Sequence, residues 1–170
     1  YFMLVTNTVA LTVTHVDAAP AYLTLYIPST LYAVSLFRLI HWWFNRHRHY
    51  SYEEALGRLR STYRLTALLG MGFCAWALSL FPYGNAYQQS HVAFYIANTV
   101  VGCIFCLMHL RAAALTLTAI VLGPFTVFFA TSGNPVFTAL ALNVALVTVA
   151  MVFILLTYYR DFRALIQSQK

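Results

Sequence analysis

The side chains with chemistry to offer are six histidines, three cysteines and a few tyrosines, glutamines and asparagines, set among long apolar runs. His15 and His91 fall at apolar-run ends on one side, His41 and His109 at ends on the other. His91 and His109 are 18 positions apart, which at about 100° per residue returns to the same helix face some 27 Å further on. That rise nearly matches the hydrocarbon thickness of a bilayer. Asn98 and Gly102 lie between them on that face. Two histidine pairs, one near each membrane face, have the donor type and separation to ligate two b-type haems. The alternative is that they are helix-end histidines bonded to headgroups and loops. Cys103, Cys106 and His109 spell C-x-x-C-x-x-H. Structural zinc usually takes four ligands and no fourth is evident, while a free cysteine in a span serves as a small apolar residue. His47 and His49 belong to a basic loop and read as solvent-exposed.

Pro82–His91 gathers Tyr83, Tyr87, Gln88, Gln89 and His91. With Asn98 further along, these are the candidate ligand-sensing residues; the alternative for the loop is contact with lipid headgroups. No Walker loop, HExxH, nucleophile elbow or carboxylate pair is present, so no catalytic residue is assigned. The acidic residues are Asp17, Glu53, Glu54 and Asp161. None sits at mid-span, which counts against an ion-coupled pump.

The elements that must position these residues follow from composition. Of 170 residues, 61% are hydrophobic and 8% charged, against about 25% charged in soluble domains. An ordinary soluble enzyme and a disordered chain are both excluded. No charged residue occurs from Leu65 to Leu110 or from Ala112 to Tyr159. Each run holds two stretches of about 20 residues, the length that spans a bilayer. The runs are continuously apolar, which excludes the alternating strands of a transmembrane barrel. The fold class is therefore all-α: a polytopic membrane domain of about six transmembrane helices, with a cytoplasmic C-terminal signalling helix.

The six spans run from about Tyr1 to Thr14 (truncated, with no basic signal-peptide start before it), Ala21 to Phe44, Tyr63 to Phe81, His91 to Leu110, Ala112 to Ala130 and Pro135 to Tyr159. Connections His15–Pro20, Pro82–Ser90 and Thr131–Asn134 carry one charge, Asp17. Arg38, Arg46, Arg48, Arg58, Arg60, Arg64, Arg111, Arg160, Arg163 and Lys170 all lie toward the other side. By the positive-inside rule the C-terminus is cytoplasmic. The net charge of +6 is thus a membrane signature and not a nucleic-acid one. Trp42 and Trp43 fit the interfacial aromatic belt. Gly123-Pro124 should kink the fifth span, and Asn143 reads as a buried amide bonding across helices.

Ser51-Tyr52-Glu53-Glu54 fits a capping box, so the connector, about 46–62, should be an amphipathic helix leading into the third span. Glu54 and Arg58 have i,i+4 spacing, and Leu56, Leu59 and Tyr63 form its apolar stripe. Leu155, Tyr158 or Tyr159, Phe162, Leu165 and Ile166 recur at three- and four-residue spacing. The sixth span should therefore continue as an amphipathic helix, and such a stripe needs a partner. A parallel coiled coil in a homodimer supplies one; a short interfacial tail is the other reading. The organisation expected is a transmembrane sensor domain over 1–159 and the start of a coiled-coil connector over 160–170.

Phe81-Pro-Tyr-Gly-Asn-Ala-Tyr-Gln-Gln-Ser-His-Val-Ala-Phe-Tyr95, followed by Gly102-Cys-Ile-Phe-Cys-Leu-Met-His-Leu-Arg111, resembles the N-terminal membrane module of proteobacterial diguanylate cyclases, the GGDEF proteins, some of which also carry an EAL domain. Tyr159–Lys170 looks like the connector before their catalytic domain. The resemblance covers roughly Leu59 to Lys170; residues 1–58 match in layout only. It implies a multi-pass protein of the bacterial inner membrane, homodimeric, whose output domain condenses two GTP molecules to cyclic di-GMP. The GGDEF motif itself is absent, so GTP enters only through an output domain outside this chain. The expectation is a sensory domain with membrane lipid and a second copy as partners. The alternative is a membrane b-type cytochrome or haem-based redox sensor with bis-histidine ligation.

Overall fold

A computed structural model describes residues 2–46, 51–107 and 110–168. The described residues contain helix and no strand, in the order α1 (Phe2–His15), a π-turn (Tyr22–Tyr26) running into α2 (Ile27–Asn45), α3 (Tyr52–Leu80), a 3-10 turn (Phe81–Tyr83), α4 (Ala86–Cys106), α5 (Arg111–Ala130) and α6 (Pro135–Ser168). The chain divides into two compact units, Tyr1–Ile96 and Ala97–Lys170, with the division inside α4.

Among the described residues five helical segments are long and apolar enough to cross a membrane, where six were expected. The shortfall is α1. Its 14 residues rise only about 21 Å, short of a roughly 30 Å hydrocarbon core. The distribution of polarity is that of a membrane protein. Met3, Val5, Val9, Val13, Leu36, Phe37, Phe94, Leu146, Val149 and Phe153 are exposed, whereas Thr8, His15, Ser35 and Thr148 are almost wholly buried. In water that arrangement would forfeit the hydrophobic effect; in lipid the apolar surface meets its own kind and polar side chains turn inward.

In the first unit, α1 buries Thr8, Leu11 and His15, all at 0% exposure. Their spacing puts them on one stripe. The π-turn has a local cause. The Ile27 N–H bonds back to the Tyr22 carbonyl, and the donor that would serve Leu23 next in that register is Pro28, which has none. The orphaned Leu23 carbonyl is satisfied from α3, where the Trp76 indole Nε1 donates to it at 2.7 Å. Trp76 also meets the Tyr95 ring edge-on at 5.9 Å. The Tyr95 hydroxyl lies 2.9 Å from Thr8 Oγ1. Since Thr8 donates its own proton to the Leu4 carbonyl, Tyr95 is the donor to Thr8.

The capping box at Ser51 is present, with Ser51 Oγ accepting from the Glu54 N–H and the Glu54 carboxylate accepting from the Ser51 N–H. From there α3 runs unbroken for 29 residues, so the connector and the third span are one helix. The side chain of Leu56, placed on the connector's apolar stripe, lies outside the described residues, as do His47 and His49.

In the second unit, α5 and α6 pack along a face of Ala113, Ala114, Leu117, Val121, Phe125 and Phe129. Phe129 meets Phe125 at 4.8 Å and Phe137 at 5.4 Å between ring centroids. The α5–α6 turn needs Gly133, whose φ of +72° is open to glycine at little cost. Asn134 Oδ1 then accepts from the Val136 N–H and Pro135 opens α6, the favoured start of a helix. α5 continues as helix through Pro124. One expectation is corrected here: Asn143 is exposed, not buried, and among the described side chains of α6 the buried polar one is Thr148, at 1% exposure.

Candidate functional site

The site is built where the end of α1 meets the start of α4, on the arginine-poor side of the sequence. α4 begins at Ala86, five residues before the expected start at His91. The reason is a second reciprocal cap. Asn85 Oδ1 accepts from the Gln88 N–H at 3.1 Å and the Tyr87 N–H at 3.0 Å, while Gln88 Oε1 accepts from the Asn85 N–H at 2.8 Å. This is a capping box made with amides instead of a hydroxyl and a carboxylate. It fixes the Gln88 side chain, whose amide then donates to the Thr14 carbonyl at 2.6 Å. Gln89 is held in turn by donating to the Gly84 carbonyl at 3.1 Å.

Thr14 and the two histidines complete the cluster. Thr14 Oγ1 lies 2.9 Å from His91 Nδ1 and 3.1 Å from His15 Nδ1. Thr14 donates its one proton to the Leu11 carbonyl at 2.9 Å, and His15 Nδ1 also sits 3.0 Å from that carbonyl. A carbonyl only accepts, so the network assigns the proton of His15 to Nδ1, and that of His91 to Nδ1 facing Thr14. The opposite ring nitrogen of His15 is then a bare lone pair. It is buried without a hydrogen-bond partner. A Cβ on Gly84 would come within 3.3 Å of it and within 2.8 Å of the Gln88 Cβ, so the backbone approaches here as only glycine allows. Burial pushes the His15 imidazole below its ordinary value of 6.5, because desolvation disfavours the charged form.

The sequence-assigned residues divide as follows. Gln88, Gln89, His91 and His15 come together, and Tyr83 lies at the rim beside Tyr22 of the π-turn. Tyr87 points away, 87% exposed. Asn98 is half-buried further along α4, in the second unit. His41 is exposed on α2 and stacks on Phe37. α4 ends at Cys106 instead of Leu110, and His109 lies outside the described residues. Cys103 is half-buried and Cys106 exposed, both as free thiols. Among the described residues no group of three or more histidine, cysteine or acidic side chains is placed to hold a metal. Leu155 is buried, and Tyr159 lies beneath the Arg111 guanidinium at 5.8 Å. The side chains of Phe162, Leu165 and Ile166 lie outside the described residues, although their backbone is helical.

Within the outer histidine pair one threonine hydroxyl stands between the two Nδ1 atoms, and His15 is wholly buried. The arrangement ties α1 to α4 through Thr14, which meets His91 by its hydroxyl and Gln88 by its carbonyl. Thr14, Gly84 and Asn85 were absent from the sequence assignment. The signal for Asn85 was the N-x-x-Q spacing; Thr14 carried none. No family model, curated protein or solved structure matches this chain.

Proposed function

We propose that this chain is a membrane-embedded sensory module that passes a stimulus to a cytoplasmic, cyclic di-GMP-synthesising output domain in a homodimer. The observation that carries the reading is α6, which runs for 34 residues from Pro135 through its apolar stretch and on past Arg160 and Asp161 to Ser168. A helix that does not break at the end of its apolar stretch passes rotation or translation along its axis, which a flexible linker does not. The cluster of Thr14, His15, Gln88 and His91 supplies the receiving end, and α4 carries its own part of that cluster as a single helix across both units. A stimulus shifts such a device only by binding its two packings unequally. The resemblance of Phe81–Arg111 and Tyr159–Lys170 to the GGDEF-associated modules supplies the output chemistry, and the arginine distribution supplies the cytoplasmic side.

The test reads the parent gene in frame past the codon for Lys170, then measures cellular cyclic di-GMP with full-length protein carrying His91→Ala or Thr14→Val. A GGDEF domain in frame, and altered cyclic di-GMP at equal protein level, are the expected results. A stop codon within a few residues, or cyclic di-GMP indifferent to both substitutions, overturns the reading.

A further inference from the structure

We infer that Arg60, Ser61 and Arg64 of α3 bind the phosphate of an anionic phospholipid, whose acyl chain lies along Leu65 and Leu68. These side chains share one face of the helix with Gly57, and together the six residues line a shallow groove. At the charged end the groove is open. Gly57 contributes no side chain, and a Cβ there would meet nothing within 4 Å. Arg60, Ser61 and Arg64 are all exposed. One turn on from Arg64 the same face is apolar, and Leu68 is 64% exposed.

The two arginines differ from their neighbours in what they already hold. Arg38 donates to Thr62 Oγ1 at 3.3 Å, and Arg46 stacks over the Trp43 ring at 3.7 Å. Among the described residues Arg60 and Arg64 have no hydrogen bond or ion pair. Four residues apart, their Cα atoms are about 6 Å apart along the axis, close enough for both to reach one phosphate. Guanidinium forks match phosphate oxygens bidentately, and the serine hydroxyl adds a donor between them. Glu53 is the nearest carboxylate on this face, seven residues and about 10 Å back along the axis, on the far side of Gly57 from the apolar track.

Position decides the source of the phosphate. Arg64 is the last charged residue before the uncharged run that begins at Leu65. That is the depth at which headgroup phosphates meet hydrocarbon. A free phosphate ion would use the arginines and leave the leucine track idle; a phospholipid uses both. An anionic headgroup is favoured over a zwitterionic one because the groove presents two uncompensated positive charges and no nearby negative one.

The experiment is native mass spectrometry of the purified protein released from mixed micelles containing equal phosphatidylglycerol and phosphatidylcholine. Wild type is expected to retain phosphatidylglycerol preferentially. Arg60→Gln with Arg64→Gln should lower its retention by about tenfold or more, and Leu68→Ser should lower it as well. A charge-matched double variant, Arg160→Gln with Arg163→Gln, should leave it unchanged. Unaltered thermal unfolding in phosphatidylcholine alone establishes that the variants are folded, as expected for exposed side chains. The inference is overturned by equal retention of the two lipids, by equal loss in both double variants, or by complete displacement with inorganic phosphate at matched concentration.

Discussion

At the scale of single residues, His15 is the side chain whose environment and chemistry disagree most. It is wholly buried, one ring nitrogen has a carbonyl, and the other has nothing. The folded state therefore holds the neutral imidazole, and burial lowers its proton affinity below the ordinary 6.5. As pH falls through that ordinary value the unfolded chain takes up a proton that the folded chain refuses. Stability contributed by this group is present above that value and lost on acidification. Thermal unfolding in detergent should show a lower melting temperature at pH 5.5 than at pH 7.5, and the difference should shrink in His15→Gln. A pH dependence unchanged by that substitution would place the titrating group elsewhere. Trp76 gives a second residue-scale prediction. Its indole fills the carbonyl that Pro28 leaves without a donor in the π-turn. Trp76→Phe keeps most of the ring and removes the donor, so it should destabilise the protein by about 1–3 kcal/mol, the cost of an unpaired buried polar group. Reversible unfolding in mixed micelles measures it. Pro28→Ala, which restores the missing N–H, should recover part of the loss in the Trp76→Phe background.

At the scale of elements, the ends of the helices are where the sequence was legible in one place and opaque in another. Ser51 and Glu54 announced α3 because a hydroxyl followed three residues later by a carboxylate is the common form of the box. Asn85 and Gln88 make the same reciprocal pair with amides, beside Pro82 and Gly84, and in a polar loop that pattern reads as turn chemistry. The sequence therefore points to a later start for α4, and the histidine spacing runs on to His109 although the described helix stops at Cys106. Asn143 failed for a different reason. Hydropathy places an amide inside a span but does not say which side of the helix faces its neighbour; on α6 that side carries Phe137, Ala141 and Thr148. The Asn85 cap carries its own prediction. Asn85→Ala should cost about 1 kcal/mol and release Gln88 from the carbonyl of Thr14. Hydrogen exchange should then quicken at the Tyr87 and Gln88 amides first, with the interior of α4 unaffected. Uniform quickening along α4 would mean that the cap holds the whole helix and not its first turn.

At the scale of the whole molecule, the apolar face on the last turns of α6 decides whether the chain works alone. Leu155 and Tyr159 are covered or half-covered within their own unit, and the Arg111 guanidinium lies over the Tyr159 ring, close to where α5 begins. Beyond that ring α6 continues for another nine residues, to Ser168, with no α5 residue alongside in sequence register. Phe162, Leu165 and Ile166 extend the three- and four-residue spacing into this stretch, while Arg160 falls on the opposite side. An amphipathic helix in water is stabilised by burying such a stripe rather than by its intrinsic propensity. A second α6 in parallel offers a matching stripe at every turn. The expected outcome follows from the phase of the helix. With Cys74, Cys103 and Cys106 replaced by serine or alanine, a single cysteine at Phe162 or Leu165 should form an intersubunit disulfide in membranes under mild oxidation. A cysteine at Arg160 should form little. Cross-linking at all three positions to the same extent would indicate random collision in the membrane, and none at any position, together with a monomer in mild detergent, would remove the dimer and with it the route from α6 to an output domain. A phase-dependent pattern would instead fix which side of α6 faces its partner, and so the direction in which a displacement at Thr14 and His91 would have to be turned to reach that interface.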